Sequence, residues 1–241
     1  MSIEFSKDSL YLYLKELGKV FRKLNGTQMP AEIVLVGGGA ILANYSFREM
    51  TTDLDAIIQA SSVMKEAILR VSDKYDLPPN WLNTDFRLTD SYSDKLEEVS
   101  IYFRTFSNVL TVRTVAAEYL IAMKLMSGRR YKNDLSDIAG ILWEHEQNAA
   151  PITKAAIENA LEKLYTRPLP DTSKQLLDDI FCSGDYEGVY KELRTSEKTA
   201  KEILLELDKN HPSEMKKDNI NNIIDSALKK LEGKGGIGRV E

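Results

Sequence analysis

Residues 32–58, EIVLVGGGAILANYSFREMTTDLDAII, decide how this chain is read. Ile33, Val34, Leu35 and Val36 are consecutive and mostly β-branched, which predicts a strand buried on both faces. Gly37, Gly38 and Gly39 follow at once and predict a tight turn, where missing side chains let the backbone approach another group closely. A short helix over 40–45 and a loop through Arg48 and Thr52 lead to a second strand. That strand carries Asp53-Leu54-Asp55 into the apolar run Ala56-Ile57-Ile58. Strands alternate their faces, so Asp53 and Asp55 share one side while Leu54 anchors the other in the core.

The pair carries chemistry. Two carboxylates on one face at a sheet edge suit a hard cation such as Mg²⁺ held against a nucleotide's phosphates. The spacing also excludes two common nucleotide-binding turns. A dinucleotide-binding turn reads Gly-x-Gly-x-x-Gly with one acidic residue about 20 positions on. Here position 42 is leucine, and the acidic feature is a pair that begins 14 positions after Gly39. A phosphate-binding P-loop would need Gly-Lys-Ser/Thr, which does not follow.

The bulk numbers agree with a soluble globular protein: 241 residues, 43% hydrophobic and 29% charged. A net charge of −5 argues against a general nucleic-acid coat but leaves room for a local basic patch. The one cysteine, Cys182, excludes an intrachain disulfide and is expected as a buried free thiol. His145 and His211 stand apart from each other and from Cys182, against a zinc site or a Ser-His-Asp triad. No basic segment precedes an apolar core at the start, and no long apolar run follows, so a cytoplasmic protein with no membrane span is expected.

Outward from the central stretch, apolar residues recur at helical spacing over 9–25 and again over 62–75, the second helix stopped by Pro78-Pro79. Residues 81–88, WLNTDFRL, alternate as a third strand, and the polar segment 89–97 reads as a mobile loop. Strands are expected over 99–103 and 109–112, separated by a loop over 104–108. Thr114 can cap a helix that runs to Ser127 and ends at Gly128, and another helix covers 134–146. Beyond Ala150 the pattern turns helical, over 154–165, 173–182, 186–193, 197–207 and 213–231. The layout is an α/β domain over 1–148, an all-α region over 149–232 and a flexible glycine-rich tail over 233–241.

Lys124 stands out as the one charged side chain in the apolar run from Tyr119 to Met126. A lysine there either extends its head to solvent or is held against an anionic partner. Arg129, Arg130 and Lys132 follow, then Asp134 and Asp137. Such a cluster can set positive charge on a triphosphate while an acidic residue orients the lysine.

Val36-Gly37-Gly38-Gly39-Ala40 followed by Thr52-Asp53-Leu54-Asp55 resembles the hallmark of the nucleotidyltransferase superfamily, with its DNA polymerase beta-like fold. Residues 118–142, EYLIAMKLMSGRRYKNDLSDIAGIL, and the WLN at 81–83 are similar to bacterial nucleotidyltransferase-like toxins of abortive-infection systems and their relatives. The resemblance covers roughly residues 30 to 145. It implies a small mixed sheet flanked by helices, with Mg²⁺ or Mn²⁺ bridging Asp53 and Asp55 to a nucleoside triphosphate. It further implies attack by an acceptor hydroxyl on the α-phosphorus, with pyrophosphate leaving. A third metal carboxylate is expected at Asp85, with Glu98 in reserve. Gly37, Gly38, Gly39, Thr52, Lys124, Arg129, Asp134 and Asp137 are the expected nucleotide-binding companions. The acceptor is open between a tRNA end, a protein and a small molecule, and the setting implied is the toxin of a toxin–antitoxin pair with a cognate antitoxin. The alternative is a non-catalytic nucleotide- or partner-binding protein, antitoxin-like or regulatory, that keeps the fold.

Overall fold

The computed structural model describes residues 3–210 together with Ile220, Ile223, Ile224 and Ser226. A two-residue strand β1 (Phe5–Ser6) leads into α1 (Lys7–Asn25), whose Leu10, Leu14, Leu17 and Phe21 are buried on one stripe. The helix starts at Ser6 because a reciprocal cap forms there. Ser6 Oγ accepts from the Ser9 amide at 3.2 Å, and Ser9 Oγ accepts from the Ser6 amide at 2.9 Å. Strand β2 (Ala31–Leu35) follows, with Ile33, Val34 and Leu35 almost wholly inaccessible, as a strand covered on both faces requires.

Helix α2 (Gly37–Asn44) begins on the glycines themselves, so they form a first helical turn rather than a turn before the helix. After β3 (Met50–Thr51), which pairs antiparallel with β1, comes β4 (Ala56–Gln59), starting just past the two aspartates. Helix α3 (Val63–Tyr75) ends at Asp76 in the left-handed conformation. Strands β5 (Ser100–Phe106) and β6 (Leu110–Val115) complete a four-stranded sheet in the order β4-β2-β6-β5. β2 runs antiparallel to β4 and parallel to β6, and β5 runs antiparallel to β6. This is the small mixed sheet flanked by helices that was expected.

Several local expectations are corrected. Residues 81–88 do not form a strand: one isolated parallel bridge pairs Asp55 with Asn83, and a 3₁₀ turn over Asp85–Leu88 follows. The Asn83 side chain accepts the Asp85 amide at 2.8 Å, and that local bond curls the backbone out of extended geometry. Segment 89–97 is pinned rather than loose, since Leu96 is buried and Ser93 Oγ donates to the Leu164 carbonyl at 2.8 Å. The β5–β6 loop shrinks to Ser107, Asn108 and Val109, the first two left-handed, as a tight hairpin turn needs. Thr114 caps nothing. It lies in β6 with its buried hydroxyl unpartnered among the described residues, and α4 (Ala117–Ser127) starts after Ala116.

The helical half consists of α5 (Asp134–Gln147), α6 (Lys154–Leu164), α7 (Asp171–Ser183) and α8 (Tyr186–Asn210). α8 is one 25-residue helix where two were expected, because no glycine or proline interrupts residues 194–197 and Ala200 and Leu204 continue its buried side. It packs along α5, while α6 packs on α4. Cys182, at the end of α7, is exposed rather than buried. The core around the sheet continues through Ile157, Ala160, Leu177 and Ile180. Apart from Ile220, Ile223, Ile224 and Ser226, the expected helix over 213–231 lies outside the described residues, as does the tail. Ile224 is buried with Ala200 and Leu204. No helix among the described residues is long and apolar enough to cross a membrane.

Candidate functional site

The alternation read from Asp53-Leu54-Asp55 places Leu54 fully inside the core, while both aspartates line a cleft of about 870 Å³. Three backbone bonds hold them there. The Val36 amide donates to the Asp55 carbonyl at 3.0 Å, which ties the glycine segment to the aspartate. On the other side the Asn83 amide donates to the Leu54 carbonyl at 3.1 Å, and the Ala56 amide to the Asn83 carbonyl at 2.8 Å. The same bridge brings Asp85, two residues on, to the cleft. Glu98 is exposed and does not line it.

Burial pushes the Asp55 carboxyl up to about 6, and the charges of Asp53 and Asp85 push in the same direction against a smaller pull from Arg129 and Lys132. Lys132 Nζ stands 3.3 Å from Asp53 Oδ2. Among the described residues, no three His, Cys, Asp or Glu side chains converge as a group able to hold a metal ion. Mg²⁺ does not require such a group, because it is commonly bound by one or two carboxylates with substrate phosphates and waters completing its octahedron. The hard oxygen donors of Asp53 and Asp55, with Asp53 and Asp85 both crowding the Asp55 charge, therefore fit a divalent cation.

Gly37 and Gly38 line the same cleft as the aspartates. Val36 offers no side-chain cap, so the first amides of α2 have no intrahelical acceptor. Gly38 is required for packing: a Cβ there would lie 2.5 Å from Thr51 Oγ1 and 3.3 Å from Arg48 Nη2. Thr51 is buried and its hydroxyl donates to the Asp53 carbonyl at 3.3 Å, so it has little room to move. Gly38→Ala is expected to cost about 1–3 kcal/mol of stability by urea denaturation. Adding Thr51→Ala should return most of the loss; no recovery in the double variant would show that the contact is not the cause.

Lys124 does not extend to solvent. Its Nζ lies 2.8 Å from Asp134 Oδ1 and 2.9 Å from Asp137 Oδ2, with 9% of the side chain exposed. Asp134 and Asp137 are buried, and each has a second cation. Arg129 Nε donates to Asp134 Oδ2 at 2.8 Å, and Arg48 Nη1 reaches both oxygens of Asp137 at 2.5 and 2.7 Å. Burial alone would lower the Lys124 pKa; Asp134 and Asp137 outweigh it and hold the lysine above its ordinary value. Burial alone would raise Asp134; Lys124 and Arg129 outweigh it and hold the carboxyl well below the usual range. Lys124, Arg129 and Asp134 line the cleft, whereas Asp137 lies behind them. Arg48 was missed in the sequence, because an arginine in a predicted loop carries no sign of a partner 89 positions away.

The helical half also enters the site. Glu197 of α8 is buried and accepts from the Leu135 amide at 2.8 Å, the Ser136 amide at 3.2 Å and the Ser136 hydroxyl. It caps α5 from outside, where Asn133 supplies no side-chain cap. Burial pushes its carboxyl up to about 7 against those hydrogen bonds, with Asp137 adding to the rise. Because the folded value exceeds the ordinary 4.5, this group's contribution to stability is full below about 4.5 and declines as pH rises to about 7. Glu197→Ala should cost about 1–3 kcal/mol by orphaning three donors. Glu197→Gln should cost less and flatten the decline in denaturant midpoint between pH 5 and 7; an unchanged profile would rule out Glu197 as its source.

No curated protein and no solved structure matches the chain. A family model described as "Nucleotidyltransferase of unknown function (DUF6036)" matches residues 13–159, which take in the glycines, Asp53, Asp55, Asp85 and the Lys124 cluster. With more than half of its 241 residues inside that match, the chain belongs to this nucleotidyltransferase family.

Proposed function

We propose that the protein transfers a nucleoside monophosphate from a nucleoside triphosphate to a hydroxyl acceptor, that Asp53 and Asp55 would hold Mg²⁺ or Mn²⁺, and that Asp85, in the same cleft, serves the acceptor. The observation that carries this reading is the meeting of Asp53 and Asp55 with Gly37 and Gly38 in one cleft. The unpaired amides of α2 receive phosphate oxygens, with Thr52 alongside. A divalent cation held by Asp53 and Asp55 would supply charge neutralisation at the phosphates. Lys124 and Arg129 give the wall behind the triphosphate its positive potential, and Asp134 and Asp137 hold those cations in place. The acceptor's O–P bond forms as the bond to pyrophosphate breaks, and Asp85, the exposed carboxylate, takes the hydroxyl proton towards solvent.

The test is incubation with each α-labelled nucleoside triphosphate, Mg²⁺ or Mn²⁺, and total RNA or protein. Label should appear on an acceptor and vanish with Asp53→Ala/Asp55→Ala. Transfer that survives the double substitution would refute the mechanism. The lack of a convergent three-carboxylate group among the described residues favours a second reading, nucleotide binding without turnover. Bound nucleotide with no transfer to any acceptor would support it. The toxin setting, a cognate antitoxin and the cytoplasmic location belong to the proposal through the resemblance over 118–142, and growth arrest on induced expression tests the toxin role. The division at residue 148 belongs to it too, with the α/β part carrying the chemistry and the helical part serving the acceptor.

A further inference from the structure

The cleft's cations fall into two sets. Lys124, Arg129, Arg48 and Lys132 are each paired with Asp134, Asp137 or Asp53. Arg194, Lys198 and Lys201 of α8 also line the cleft, yet they are exposed and have no ion-pair partner among the described residues. At about 100° per residue these three side chains fall within an arc of roughly 60° and extend about 10 Å along the helix. Glu192, Glu202 and Glu206 of the same helix fall outside that arc. A chain of net charge −5 thus sets a row of positive charge, unpaired among the described residues, along its candidate site.

We infer that this row is a binding track for the phosphate backbone of a single-stranded nucleic acid, which presents its terminal hydroxyl as the acceptor. The inference rests on the transfer reading for the role of the hydroxyl, but the track itself does not. A triphosphate is compact and already has the α2 amides, Lys124 and Arg129 in the cleft, whereas three further cations in a line match a repeating polyanion. Tyr131 and the half-exposed Leu205 line the cleft beside the row, and Tyr131 packs against the Ala200 and Leu204 cluster. An aromatic ring set beside a basic groove is the combination that takes a stacked base, which an acidic peptide does not supply.

The track is tested on the full chain with a fluorescein-labelled single-stranded oligoribonucleotide, by anisotropy in EDTA without nucleoside triphosphate. Transfer plays no part in this measurement, so it succeeds or fails independently of the reading above. Wild-type binding should weaken with salt, and Arg194→Gln/Lys198→Gln/Lys201→Gln should weaken it at least about tenfold while lowering the salt slope by about 2. Lys15→Gln/Lys19→Gln/Lys23→Gln, the same charge change on α1, should bind as the wild type does, and circular dichroism checks that both variants fold. Equal loss in the α1 variant would reduce the effect to net charge and overturn the track. So would an unaffected α8 variant, wild type that binds no oligonucleotide, or polyglutamate bound as tightly as RNA. Mg²⁺·ATP affinity should stay within about twofold in the α8 variant; a parallel loss would assign the row to the triphosphate instead.

Discussion

Replacing Lys124 by alanine is expected to lower the unfolding free energy by about 3 kcal/mol, the lower end of what breaking a buried ion pair costs. Lys124 is the shared cation of two buried carboxylates, 2.8 Å from one and 2.9 Å from the other. Its loss leaves Asp134 with Arg129 and Asp137 with Arg48, which is why the cost stays at the lower end. The sign with pH follows from the depressed carboxyl of Asp134. A carboxylate whose folded pKa is lowered stabilises the fold above its ordinary value of 3.8 and loses that contribution as pH falls through the folded value. Without Lys124 the buried Asp134 carboxylate protonates more readily, so the deficit should be largest near neutral pH and shrink in acid. Urea denaturation followed by Trp81 and Trp143 fluorescence reads this directly. Lys124→Met with Asp137→Asn should recover less than the full loss, because Asp134 still lacks one of its two cations and Arg48 loses its own partner. A cost below about 1 kcal/mol at pH 7 would show that the lysine is solvated after all.

Where the sequence was legible, a period or a steric requirement spoke for itself. The buried strand through Ile33 and Val34, the alternation of Asp53, Leu54 and Asp55 and the stripe on α1 follow from side-chain direction alone. Residues 81–88 misled because alternation over so short a run also fits a turn, and the deciding interaction was one side chain bonding its own backbone two residues on. The site divides in the same way. Gly37, Gly38, Thr52, Asp53, Asp55, Asp85, Lys124, Arg129 and Asp134 meet at one cleft and lie in segments that local pattern singles out. Arg48 gains meaning only when its loop meets Asp137 of α5, and Glu197, Arg194, Lys198 and Lys201 only when α8 lies along α5, tertiary contacts with no local signature. A helical wheel of 186–210 read as one helix would have shown the cation row; dividing the segment in two hid it.

Asp55→Asn is expected to lower transfer by roughly 10³-fold, about 4 kcal/mol of transition-state stabilisation, and yet to make the metal-free protein more stable at pH 8. Both effects arise from one cause. Burial, then Asp53 and Asp85, raise the folded Asp55 carboxyl from 3.8 to about 6, so ionising it opposes folding. Sign and window follow: between 3.8 and 6 the folded state binds more protons than the unfolded chain, and stability falls as pH rises through that interval. Above about 6 the cost is complete, on the order of 3 kcal/mol at most, and asparagine of nearly the same shape avoids it. In EDTA the variant should therefore exceed the wild type by about 1–3 kcal/mol at pH 8 and lose that advantage towards pH 4. A divalent cation must displace the Asp55 proton, so apparent Mg²⁺ affinity of the wild type should fall up to about tenfold per pH unit below about 6, while the variant binds weakly at every pH. An Asp55→Asn protein less stable than wild type at pH 8 would mean the carboxylate serves the fold. Greater stability together with lost transfer would identify it as a charge that the fold carries at its own expense for the chemistry.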